Sequence, residues 1–204
     1  MKRFLASLLL LCTLTLSACS ESETLSTETA ISLESHEITC PILLESIPSR
    51  SITSAFHDAL NAMERGERVL MIFLDGWGWE KFVYHANAQP FLYSLNPEPA
   101  IAAYPPMTPV GLAAVLTGVQ PEIHGIQSRN DRQLNDGVTD IFAEAARLGH
   151  TAIFVQGSTN VIETSLFPLL SPNADGLYGT DNEVFENASR NLDADLLFVH
   201  FKGY

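Results

Sequence analysis

From Ser51 onward the chain switches between helical spacing and unbroken apolar runs. Residues 51–65 place apolar side chains at Ile52, Ala55, Phe56, Leu60 and Met63, close to the spacing of one helix face, and Gly66 stops the pattern where a left-handed C-cap belongs. Residues 69–74 (VLMIFL) are apolar throughout and are followed by Asp75-Gly76. A run this short between two glycines predicts a strand, and its lack of alternation predicts burial on both faces, as in a parallel sheet. Two further runs, 151–155 and 196–201, end at Gln156-Gly157 and Lys202-Gly203, and each follows an amphipathic segment, 138–148 and 181–192. Residues 100–104 form a shorter candidate strand, followed by a helix from about Pro109 to Leu116. Strands alternating with helices predict an α/β fold, a doubly wound, mostly parallel sheet flanked by helices.

Ligands of such sheets bind beyond the carboxyl ends of the strands. That rule singles out Asp75, the stretch around Thr108, Gln156, and residues 202–204. A carboxylate at Asp75 suits a cation such as zinc or magnesium; the same residue also reads as a turn Asp that caps the next helix. Thr108-Pro109 reads as N-cap and first helical position. A hydroxyl there also faces the unpaired N–H groups and positive end of a helix, which is an anion site. A nearby metal would make that hydroxyl a nucleophile.

Composition changes the picture in two places. With 204 residues, 46% hydrophobic and 17% charged, the chain has material for a core. Its net charge of −13 repels phosphate backbones and speaks against a nucleic-acid-binding surface. The N-terminus is different in kind. Met1-Lys2-Arg3 precedes an apolar stretch from Phe4 to Leu16, too short to span a bilayer, and Leu16-Ser17-Ala18-Cys19 has the form of a bacterial lipobox. Residues 1–18 are therefore expected to be a lipoprotein signal peptide, with Cys19 the lipidated first mature residue. Residues 19–50, rich in Ser, Thr and Glu, read as an acidic tether, and residues 51–204 as the α/β domain. Cleavage removes Cys12 and leaves Cys40 as the one ordinary thiol, so no internal disulfide forms. The expected location is the cell envelope, outside the cytoplasm, held at a membrane by the lipid.

Taken together, Val69 to Gly76 (VLMIFLDG) and Tyr104 to Ile126 (YPPMTPVGLAAVLTGVQPEIHGI) resemble the alkaline phosphatase superfamily, most nearly its type I phosphodiesterase and nucleotide pyrophosphatase branch. There an apolar strand ends in a metal-binding Asp, and a nucleophilic Thr follows. Thr-Gly comes nine and ten residues later, then Pro and His-Gly; Thr117, Gly118, Pro121, His124 and Gly125 hold those places here. The resemblance implies an alkaline-phosphatase-like fold, with Asp75 and Thr108 as ligands of one metal ion and Thr108 as catalytic nucleophile. It makes Thr117, Gly118, Pro121 and His124 structural, and Asn130 a binder of a substrate phosphate oxygen, with Arg129 as a substitute. It further implies two divalent ions, usually zinc, and hydrolysis of a small phosphate ester, a phosphodiester or pyrophosphate. Trp77 and Trp79 are near enough to stack on a substrate or, with Phe82, to pack against the sheet. His200, within a strand, reads as core, and Lys202 lies near the strand end. The remaining ligands of the family's site, Asp and His residues, are expected after the strand that ends near Tyr204. The chain thus reads as the N-terminal portion of such a domain, truncated at its C-terminus. The alternatives are a non-catalytic envelope lipoprotein that keeps only the scaffold, and a phosphatase- or sulfatase-like relative.

The lipobox reading has a direct check. Intact-mass measurement on the membrane fraction is expected to show loss of residues 1–18 and an acyl increment on Cys19. A mature start elsewhere with a free Cys19 thiol refutes it.

Overall fold

The computed structural model describes residues 50–85, 88–172 and 180–202. The expected signal peptide at 1–18, the expected lipidation site Cys19 and the expected tether up to residue 49 lie outside the described residues.

Four parallel strands form one sheet in the order β1-β4-β2-β3, with β1 Val69–Leu74, β2 Ala152–Gln156, β3 Leu169–Leu170 and β4 Leu196–Phe201. Helices cover both faces, so the protein is α/β with an all-parallel sheet. On one face lie α1 (Ser54–Glu64), α4 (Thr108–Thr117) and α6 (Ile141–Arg147). Their Phe56, Met63, Leu112, Leu116 and Phe142 pack with Val69, Met71, Phe73, Phe154, Leu196 and Phe198 in the main core. On the other face α7 (Asp181–Ser189) presses Val184 and Ala188 onto Val155, Leu197 and Val199. Successive strand side chains point to opposite faces, so burial on both faces is what made these runs continuously apolar. Three short helices complete the described elements: α2 (Trp79–Tyr84), α3 (Pro90–Ser94) and α5 (Pro121–His124). Among the described residues no helix is long and apolar enough to cross a membrane.

The long elements begin and end for local reasons. Asp140 caps α6: its Oδ1 accepts from the Phe142 and Ala143 N–H groups, both at 3.0 Å, which is why this helix starts inside the predicted 138–148 segment. Thr180 and Glu183 form a capping box at the start of α7, which ends at Ser189, short of the predicted Leu192.

Two expectations are corrected. Residues 100–104 are no strand: Ile101 makes one isolated bridge to Ser51. The segment is set among Pro97, Pro99, Pro105 and Pro106, and proline has no N–H to give a sheet ladder. Thr108 is not an N-cap: Met107 holds that place, Thr108 is the first helical residue, and its hydroxyl makes no cap bond. The hydroxyl is engaged elsewhere, as described below.

The exit of α4 is a tight join. Gly118 adopts φ +73°, and a Cβ there would meet the Phe56 ring of α1 at 2.8 Å. The Thr117 hydroxyl turns back to the Ala113 carbonyl at 2.7 Å. A left-handed non-glycine residue costs about 1–2 kcal/mol, and forcing a buried ring aside costs about 1–3 kcal/mol. Gly118→Ala is therefore expected to lower the unfolding free energy by about 2–5 kcal/mol. Gly66→Ala, with the same φ of +73° but open space around it, should show only the backbone part, about 1–2 kcal/mol. Urea unfolding of both variants separates clash from strain; equal losses would show that Phe56 yields freely.

Candidate active site

Asp75 continues β1 by one residue. Its N–H donates to the Phe201 carbonyl at 2.9 Å, so it is held to the end of β4, and Gly76 (φ +67°) turns the chain away behind it. Asp75 follows Val69, Met71 and Phe73 on the face toward α4, because side chains alternate along a strand. From that face α4 brings Thr108, thirty-three residues on in the sequence. The Thr108 hydroxyl donates to the Asp75 carboxylate, 2.9 Å from Oδ2 and 3.1 Å from Oδ1. Pro109 at the helix start sets the turn that delivers it, and Val110 to Leu116 are buried all round, which fixes the helix axis.

The same face carries two more polar groups at the strand ends. His200 lies on β4 opposite Phe73 of β1, fully buried, its ring edge-on to the Phe73 ring with centroids 5.2 Å apart. Its Nε2 is 3.9 Å from Asp75 Oδ2, and its Nδ1 is 3.5 Å from Gln156 Oε1. Gln156, the last residue of β2 and itself buried, donates through Nε2 to Asn160 Oδ1 at 3.0 Å. A polar row thus runs across the carboxyl ends of three strands, from Asn160 through Gln156, His200 and Asp75 to Thr108.

Burial acts on the Asp75 carboxyl to raise its pKa. The facing His200 ring, the Thr108 hydroxyl and the Gly76 backbone N–H outweigh it and leave the group below its ordinary value of 3.8. The carboxylate is therefore anionic at neutral pH and available as an acceptor or a ligand.

Beside Asp75 opens a cleft of about 660 Å³, lined by Leu74, Asp75, Gly76, Trp77, Lys81, Asp181, Phe201 and Lys202. Trp77 reaches it with its indole Nε1 buried and unpartnered. Trp79 does not; it stacks on Phe82, centroids 5.4 Å apart, and Phe82 in turn on Tyr93. Lys202 sits at the cleft wall, its N–H donating to Asp181 Oδ1 at 3.1 Å and its Nζ to Thr159 Oγ1 at 3.0 Å.

The structure brings Asp75 and Thr108 into contact. Asn130 is exposed in a turn after α5, its N–H 3.2 Å from Ser128 Oγ, and neither it nor Arg129 lines the cleft. His124 is a buried turn residue whose Nδ1 accepts from the Ile126 N–H at 3.1 Å, and burial pushes its pKa down. Sequence pattern alone places His200 in the core and gives it no role at the site. A histidine near the end of an otherwise apolar central strand is the available signal, since a buried polar group needs a partner. Comparison of the chain with protein-family models, with curated proteins and with solved structures finds no match, and the site is read from its geometry.

The depressed Asp75 pKa carries a sign. The native state binds this proton less tightly than the unfolded chain, so the carboxylate's contribution to stability is complete above the ordinary value of 3.8 and fades as pH falls through the lower native value. Asp75→Asn, which mimics the protonated form, should be less stable than the wild type at pH 7, and the difference should shrink toward pH 2–3. Urea midpoints across that range test it; a difference that stays constant would remove Asp75 as the group responsible.

Proposed function

We propose that this protein is a metal-dependent hydrolase of phosphate esters, acting on phosphodiester or pyrophosphate bonds through Thr108 as nucleophile, on an alkaline-phosphatase-like fold. The observation that carries the reading is the hydrogen bond of the Thr108 hydroxyl to the Asp75 carboxylate, at 2.9 and 3.1 Å, where a helix begins and a parallel strand ends. The resemblance of Val69 to Gly76 and Tyr104 to Ile126 to the phosphodiesterase branch of that superfamily points the same way.

The donor chemistry fits a divalent cation. Asp75 and Thr108 offer hard oxygen atoms about 3 Å apart, close to the spacing of neighbouring ligands around an ion bound at about 2.0–2.2 Å. Among the described residues no group of three or more His, Cys, Asp or Glu side chains converges on one point. Asp75 and Thr108 thus hold part of one coordination sphere, and a two-zinc site takes its other donors from outside the described residues. A divalent cation bound here supplies the acidity that lowers the hydroxyl pKa and offsets charge on the phosphate oxygens.

The chain's own residues do the rest. The Asp75 carboxylate orients the Thr108 hydroxyl, and the hydroxyl proton passes to solvent as Oγ1 attacks phosphorus. The bond from phosphorus to the leaving oxygen breaks in line, and that oxygen leaves with a proton from solvent. Water then cleaves the phosphothreonine, restoring the hydroxyl. The unpaired N–H groups and positive end of α4 lie where the phosphate oxygens gather charge. The lipid on Cys19 and the acidic tether hold the domain at a membrane, outside the cytoplasm, facing a small phosphate ester.

Thr108→Ala in the native polypeptide is expected to keep the fold, because one hydrogen bond contributes about 1 kcal/mol. It should lower hydrolysis of bis(4-nitrophenyl) phosphate in the presence of Zn²⁺ by about a thousandfold or more, the scale of about 4 kcal/mol of barrier. Full activity in Thr108→Ala sinks the nucleophile assignment. Absence of turnover in the wild type with any divalent ion supports the non-catalytic scaffold instead.

A further inference from the structure

His200 is buried completely, yet its Nε2 has no hydrogen-bond partner. Such a group is costly to hide unless something meets it. The facing polar atom is Asp75 Oδ2, 3.9 Å away. The ring cannot swing off: Phe73 stands edge-on against it, and Gln156, tied to Asn160, backs its Nδ1. Two strands set this meeting. Pairing of Phe73 with His200 puts Asp75 two residues further along the same face, at the mouth of the sheet. Carboxylates that bind metal ions are themselves held by outer hydrogen-bonding partners, which set which oxygen faces the ion.

We propose that His200 is a positioning residue for Asp75. Its Nε2–H faces Oδ2 and holds the carboxylate from behind, leaving Oδ1 clear of the histidine. Gln156 and Asn160 back the Nδ1 side of the ring and so keep Nε2 turned toward Oδ2. His200 itself touches neither substrate nor the ion and acts only through Asp75. The inference rests on the reading of Asp75 as a metal ligand for its functional meaning, but the contact it asserts can be measured without metal.

The experiment uses six forms of the protein: wild type, Asp75→Asn, His200→Phe, His200→Gln, the Asp75→Asn/His200→Phe double variant and Asp181→Asn. Phenylalanine keeps the ring packing against Phe73 and loses the donor; glutamine keeps a donor. Zn²⁺ affinity, measured by competition with a chromogenic chelator, is expected to fall about 10–100-fold in His200→Phe and to recover largely in His200→Gln. Unfolding midpoints of Asp75→Asn, His200→Phe and the double variant supply the metal-free readout. The double variant should unfold close to the less stable single variant, because each change removes the same contact. The His200 Nε2 resonance should also shift in Asp75→Asn and stay unmoved in Asp181→Asn, which alters a carboxylate in the neighbouring cleft. If His200→Phe folds and binds Zn²⁺ like the wild type while Asp75→Asn does not, the ligand reading stands and the positioning role is overturned. If the wild type binds no Zn²⁺, the ligand reading fails, and the midpoints and resonance decide the contact alone. Non-additive midpoints with a shifted resonance uphold it; additive midpoints with an unmoved Nε2 end it. Should His200→Phe fail to fold, the Nε2 resonance in Asp75→Asn decides the contact by itself: a shift upholds it and an unmoved signal ends it.

Discussion

Strand β4 is the constraint on which the arrangement depends. Among the described residues β1 joins the sheet only through it, and β2 bonds to its other edge. Its residues are buried on both faces, Leu196 and Phe198 toward α4, Leu197 and Val199 toward α7. β4 thus contributes side chains to both cores, as its neighbours β1 and β2 do with Met71 and Leu70 and with Phe154 and Val155, and it stands between them. The same strand sets the site, since its Phe201 carbonyl fixes the Asp75 backbone and its His200 side chain faces the Asp75 carboxylate. A change in β4 register by one residue would exchange the two faces and take His200 away from Asp75.

The second partner of Asp75 is held no less firmly. α4 is apolar on all sides, with Pro109 to Leu116 buried among α1 and the sheet. Its Gly118 exit lies against Phe56 with no room for a side chain. A helix enclosed in this way cannot roll or slide without opening a cavity in a close-packed core. Thr108 therefore meets Asp75 at a separation set by the core, with no loop in between to loosen it. The cleft wall is made differently. Trp77 and Lys81 belong to the turn after β1 and a helix of six residues, where few core contacts oppose movement.

Much of this is legible from residue order because burial on both faces leaves a strong mark. β1 and β4 match the apolar runs 69–74 and 196–201 residue for residue, and α4 is marked by Pro109, its apolar run and Gly118. Asp75 and Thr108 stand out for their places at element ends. The cap expected at Thr108 fails because residue type cannot say whether a hydroxyl turns to its own helix or to a strand end thirty-three residues earlier. His200 escapes for a similar reason: its partner is set by strand register across more than a hundred residues. Helices α2 and α3 leave no helical period, since each has a single turn or so and exposes aromatic groups such as Tyr84, Phe91 and Tyr93. Residues 100–104 have the composition of a strand, but prolines on both sides leave them no length to extend a ladder, and they pair only at Ile101.

The place of β4 in the chain has a kinetic consequence. The strand that joins β1 to β2 is made after both, so β1 waits without this neighbour for more than a hundred residues of synthesis. Closing a sheet over such a separation is slow compared with forming local helices. Until then Val69 to Leu74 is a bare apolar strand with two open edges, the kind of segment that pairs with other chains. The segment stays open to such pairing until β4 is made, and β1 takes its native place only in that late step.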